Sequence, residues 1–143
     1  MNFGYLLIVK ENHEVDYLKL AYALALSIKN TQKEGYDKVA LVLDNNSGIE
    51  NLNSPWVFDK IIYTDLPDGW NGRSLMHDLT PWDYTVCLDS DMLFLRDYSH
   101  WIDYFVENRN LFVANKCYTY RNEIVESDHY RKCFTANQLP DLY

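Results

Sequence analysis

The order of apolar segments predicts an α/β fold, a mostly parallel sheet with helices on both faces. Three observations predict it. Short apolar runs rich in β-favouring residues alternate with stretches of helical period, the pattern of strands joined by crossover helices. The runs are continuously apolar, as strands covered on both sides are. The chain of 143 residues is 48% hydrophobic and 15% aromatic, which suffices for one cored domain over 1–143 and excludes a disordered chain.

Tyr5-Leu6-Leu7-Ile8-Val9 predicts the first strand. Val15 to Asn30 predicts a helix: Val15, Leu18, Tyr22, Ala25 and the pair Leu24/Ile28 recur at helical spacing, with a polar face at Asp16, Lys19 and Lys29. Asn30-Thr31 and Gly35 end it. Val39 to Leu43 is a second strand, closed by the turn formers Asp44-Asn45-Asn46-Ser47-Gly48. Ile61 to Thr64 is a third, followed by the loop Asp65 to Gly72 and a short helix from Arg73 to Leu79.

Tyr84-Thr85-Val86-Cys87-Leu88 then reads as a buried strand, and Met92 to Leu95 continues apolar. Ser99 is a capping residue for a helix over His100 to Asn108, and Leu111 to Ala114 is another strand. From Asn115 the pattern weakens, with a helix expected over Asp128 to Asn137.

The strand before residue 89 ends in Asp89-Ser90-Asp91. Carboxylates at i and i+2 on extended backbone point to one side, so both can reach one hard cation. The pattern by itself carries little weight. With 14 Asp in the chain, chance supplies about one Asp-x-Asp, the number present. A solvated strand end or turn accounts equally well for an isolated match. Its context is what counts. In a parallel sheet ligands bind beyond the carboxyl ends of strands, where Val9-Lys10-Glu11-Asn12, Asp44-Asn45 and the doublet would gather.

The formal net charge of -8 argues against a general nucleic-acid binder or a ligand of anionic membranes. Cys87, Cys117 and Cys133 are an odd number at no metal-ligand spacing, which predicts a reducing compartment, no disulfide framework, and Cys87 as a small core residue. Lys10 interrupts the first apolar run. No signal peptide or membrane span is read, and the expected location is cytoplasmic.

Taken together, the segment Arg73-Ser74-Leu75-Met76-His77-Asp78-Leu79-Thr80-Pro81-Trp82-Asp83-Tyr84-Thr85-Val86-Cys87-Leu88-Asp89-Ser90-Asp91 resembles glycosyltransferases of the GT-A fold, most closely the glycogenin-like group, family 8. That family has a Rossmann-like sheet, a short helix opened by a basic residue, a turn, and a strand running into Asp-x-Asp. The apolar Met92-Leu93-Phe94-Leu95 and the opening strand, loop and long helix are similar too.

The resemblance implies a metal-dependent transfer of a hexose from a nucleoside diphosphate sugar, most often a UDP-sugar, to a hydroxyl acceptor, with retention of configuration. It implies that Asp89 and Asp91 hold Mn²⁺ or Mg²⁺ and that Arg73, where the family more often has Lys, contacts the sugar nucleotide. Ser90 lies within the motif. Ile8, Val9, Lys10 and Asn12 correspond to the nucleotide-contacting loop, although the family's Thr-Asn is here Lys10-Glu11-Asn12. The resemblance covers the first half of the family's domain; its Asn-x-Gly strand and late metal-binding His have no counterpart. A truncated chain, or one that completes its site as a homo-oligomer, is expected on that basis, and no catalytic residue is named.

Other signals are weaker. His13, His77, His100 and His129 form no ligand spacing, and Gly69 and Gly72 read as turn residues. Trp56, Trp82 and Trp101 read as packing residues, and Trp70 as a flank for a sugar. Tyr118 to Glu123 reads as an acceptor-side loop or an irregular surface stretch. Two rival functions stay open: another metal-dependent phosphoryl-processing enzyme, with Asp97 or Asp103 as added carboxylates, and a non-catalytic nucleotide-sugar-binding or interaction domain.

Overall fold

The computed structural model describes residues 1–10, 14–44, 48–67, 75–108, 117–118 and 124–125. The chain forms two compact units, Met1–His100 and Trp101–Tyr143. The first contains the strands β1 (Phe3–Val9), β2 (Val39–Leu43), β3 (Lys60–Tyr63) and β4 (Tyr84–Leu88), all parallel, in the order β3-β2-β1-β4. With helices α1 (Tyr17–Thr31) and α2 (Met76–Leu79), this is the α/β architecture the sequence predicts. Helix α3 covers Ser99–Asn108.

In the second unit, Cys117–Tyr118 (β5) and Ile124–Val125 (β6) pair antiparallel. The strand expected at Leu111 to Ala114 and the helix expected at Asp128 to Asn137 lie outside the described residues. Among the described residues, no helix is long and apolar enough to cross a membrane.

Burial explains the strand order. All five residues of β2 are buried, and so is every residue of β1 except the half-buried Ile8. These near-continuous apolar strands take the two central places. β3 and β4 sit at the edges and have no fully buried residue. The buried strand expected before Asp89 is therefore an edge strand among the described residues, and Cys87 is exposed on it and not a core residue. Partial desolvation of its base still pushes the thiol pKa up.

The two faces differ. Leu6, Ala40, Val42, Leu66 and Trp82 form one buried cluster, against which Ile8, Ile62 and the α2-side residues Leu75, Met76 and Leu79 pack. Strand alternation turns Phe3, Tyr5, Leu7 and Val9 to the opposite face. There α1 buries Ala21, Leu24, Ala25 and Ile28. Helix α1 starts at Tyr17, later than Val15, because the Asp16 side chain accepts the Lys19 backbone N–H at 3.0 Å as an N-cap. Val15 is left exposed. At the other end of α1, Lys29 Nζ reaches Asp59 at 2.8 Å, and Asp59 also accepts the Val39 N–H at 2.7 Å, tying the helix to the start of β2. The crossover from β2 to β3 carries two 3₁₀ turns, Ile49–Asn51 and Pro55–Val57. Trp56 within the second is exposed and is not the packing residue expected.

Trp82 does pack. Its indole lies so close to Gly4 that a Cβ there would come within 2.4 Å of Nε1. The Lys38 and Lys60 ammonium groups stand 5.6 and 5.3 Å from the ring centroid, within cation–π range. At the start of α3, Asp97 supplies the acceptor that Ser99 was expected to supply. Its carboxylate takes the Ser99 N–H at 2.9 Å and the Ser99 hydroxyl at 3.0 Å, and pairs with Lys33 at 2.9 Å.

Two outcomes follow from these contacts. Gly4→Ala should cost about 1–3 kcal/mol in urea denaturation through overpacking, and pairing it with Trp82→Leu should recover part of that loss, because the two residues share one space. The Lys33 and Ser99 hydrogen bonds hold the Asp97 carboxyl down to about 2 from its ordinary 3.8. A depressed folded-state pKa gives stability that is complete above the unfolded value and lost as pH falls through the folded one. Asp97→Asn should therefore flatten the fall in stability between about pH 4 and pH 2 while leaving the curve's shape above pH 5 unchanged.

Candidate functional site

All four strands of the parallel sheet deliver their carboxyl ends to one edge. Val9, Leu43 and Tyr63 are level in the register, so Lys10, Asp44 and Thr64 leave the sheet side by side. Leu88 pairs with Leu7, so Asp89 emerges from β4 at the level of Ile8. The chain runs outward from β1 to β2 and β3, then returns to lay β4 on the other side of β1. The strand order reverses between β1 and β4, and the doublet flanks that point.

Asp89 and Asp91 are exposed, and Ser90 between them is half-buried. The strand ends at Leu88 and Ser90-Asp91 form a turn. This corrects the expectation that the carboxylates share a side because the backbone is extended; any convergence is set by the turn. The donor set suits a hard cation, since both groups are carboxylates at an open edge. Among the described residues, no three His, Cys, Asp or Glu side chains group closely enough to hold a metal ion. The pair fits an ion bound by one or two carboxylates and completed by ligand phosphates and water, the usual arrangement for Mg²⁺.

The nucleotide-side candidates are placed unevenly. The Lys10 ammonium donates to the Leu66 carbonyl at 2.7 Å and lies 3.9 Å from Asp44, which ties it to the β2 and β3 side of the edge. Its side chain keeps 34% of its surface exposed. Val9 is buried and Ile8 packs into the Leu6 and Trp82 cluster, so both support the edge from within. Asn12, Arg73 and Trp70 lie outside the described residues.

Sequence reading missed a second layer around the doublet. Met92 to Leu95, read as continuing apolar, and the residues on to Tyr98 have no regular structure, and Met92, Leu93 and Leu95 are exposed. The backbone of this segment is gripped by α1 and the residues just after that helix. Ser27 Oγ accepts the Phe94 N–H at 2.9 Å, and the buried Gln32 side chain donates to the Arg96 carbonyl at 2.8 Å and accepts the Tyr98 N–H at 3.0 Å. The one available signal was a serine inside the apolar run Ala23-Leu24-Ala25-Leu26-Ser27-Ile28. This geometry must be read on its own chemistry, for no protein-family model matches the chain and no curated protein matches it.

Proposed function

We propose that the chain is a metal-dependent glycosyltransferase of the GT-A type, or part of one, that binds a nucleoside diphosphate sugar and transfers its hexose to a hydroxyl acceptor with retention. One observation carries the reading. The Asp89-Ser90-Asp91 doublet leaves β4 at the carboxyl edge of a parallel sheet, beside the point where strand order reverses. Open α/β sheets bind their ligands at such points. The resemblance of Arg73 to Asp91 to the glycogenin-like group supplies the reaction class.

The roles follow from the side chains. Asp89 and Asp91 would hold Mn²⁺ or Mg²⁺, which when bound neutralises a diphosphate and stabilises charge on the leaving group. Lys10 offers a second positive charge at the same edge, and an acidic chain needs such local cations to accept an anionic nucleotide. Arg73 would contact the sugar nucleotide through a planar guanidinium, as the resemblance implies. A non-catalytic nucleotide-sugar-binding module is the second reading, favoured by the absence of a third metal-ligating side chain near the doublet among the described residues.

Titration with UDP-glucose in the presence and absence of Mn²⁺ tests the first step. Binding should require the metal, and Asp91→Ala should weaken it at least about tenfold, as loss of a liganding carboxylate does. Lys10→Met should weaken nucleotide binding and leave Mn²⁺ binding intact. Binding unchanged in Asp91→Ala, or no binding of any of several sugar nucleotides, would contradict the proposal. Release of sugar in the same assay separates an enzyme from a binder.

A further inference from the structure

The five residues Asp89 to Leu93 join two anchored points. At the near end, Leu88 closes the β4 ladder opposite Leu7. At the far end, the Phe94 N–H donates to Ser27 Oγ at 2.9 Å, and the Phe94 ring packs edge-on against Tyr5 of β1 with centroids 5.2 Å apart. The Ser27 hydroxyl donates its own proton to the Leu24 carbonyl at 2.7 Å, which turns its lone pairs toward Phe94. Gln32, only 7% exposed, commits both ends of its amide to the Arg96 carbonyl and the Tyr98 N–H. Lys33 adds its pair with Asp97. The Phe94 N–H, the Arg96 carbonyl and the Tyr98 N–H all belong to the segment directly after the doublet.

We propose that Ser27 and Gln32 are positioning residues for the Asp89-Asp91 cation site, fixing the far end of the loop that carries both carboxylates. The inference rests on the metal-site reading above. Its physical basis is preorganisation: a short loop fixed at both ends has few conformers, so less freedom is lost when a ligand orders it. The two like charges repel, and a loop released at Phe94 can relax by moving them apart. The cation must then bring them back together, at a cost in affinity.

Mn²⁺ binding to the full chain, followed by electron paramagnetic resonance without nucleotide, tests this. Circular dichroism confirms folding at the working temperature, and thermal unfolding is measured separately without metal. Ser27→Ala should raise the Mn²⁺ Kd about tenfold, at the low end of what losing an outer support of a metal ligand does. Ser27→Thr, which keeps the hydroxyl, should stay within about twofold of wild type on the same scale. Gln32→Met, which removes both amide contacts at similar volume, should also weaken binding and decides the matter if Ser27→Ala does not fold. Wild-type Kd in both folded variants would overturn the inference, whatever their thermal stability, and would leave the metal site standing if Asp91→Ala abolishes binding. Absence of Mn²⁺ binding by the wild type would overturn the metal-site reading and this inference with it.

Discussion

The candidate site depends on the parallel pairing of β4 with β1. β1 is already hydrogen-bonded to β2 on its other side, so this pairing reverses the strand order next to one of the two buried central strands of the sheet. It also sets the level at which Asp89 emerges. The register is strongly specified, because a one-residue slip would exchange the faces presented by Tyr84, Val86 and Leu88. Trp82, just before β4, reinforces that register from the opposite end by lying against Gly4 of β1. A glycine that admits an indole at one end of the sheet thus helps place two carboxylates at the other.

The rest of the first unit supports this edge through polar contacts that a hydrophobic core alone would not supply. Central apolar strands provide the burial, while Asp59, Gln32 and Ser27 fix where connecting segments meet α1 and β2. Hydrogen bonds of this kind add modestly to stability, but leaving their buried partners unmade costs about 1–3 kcal/mol each. They therefore specify which conformer the loops adopt. Two buried groups show the rule's limits: the Tyr5 hydroxyl and the Trp82 indole N–H have no hydrogen-bond partner among the described residues, and burial with Asp97 and Asp37 nearby pushes the Tyr5 pKa up. Packing of the Tyr5 ring between Phe3 and Phe94 holds it there despite its orphaned hydroxyl.

Much of this architecture was legible in the sequence, since it rests on local apolar runs. Val39 to Leu43 reads directly as the central strand observed, and the α1 face shows in its Leu24, Ala25 and Ile28 spacing. The placement of β4 was less legible. Tyr84 to Leu88 has the composition of a buried strand, but strand order is a long-range property and its edge position leaves Cys87 exposed. The ladder stops at Leu88 although β1 runs on to Val9, because the chain turns at Ser90-Asp91, a stop that the apolar run before it does not reveal. Ser27 and Gln32 escaped notice because their partners are backbone groups 64 to 67 residues away, invisible to any local pattern.

Under the proposed function, a cation binds at the reversal point between β1 and β4. Amide resonance broadening by sub-stoichiometric Mn²⁺ tests it most directly. Signals from Leu7 to Lys10 and from Leu88 to Leu93 should broaden first, while Val39 and Lys60, which open β2 and β3 at the opposite edge, stay sharp. Broadening centred on that opposite edge, or none around Asp89 and Asp91, would contradict it.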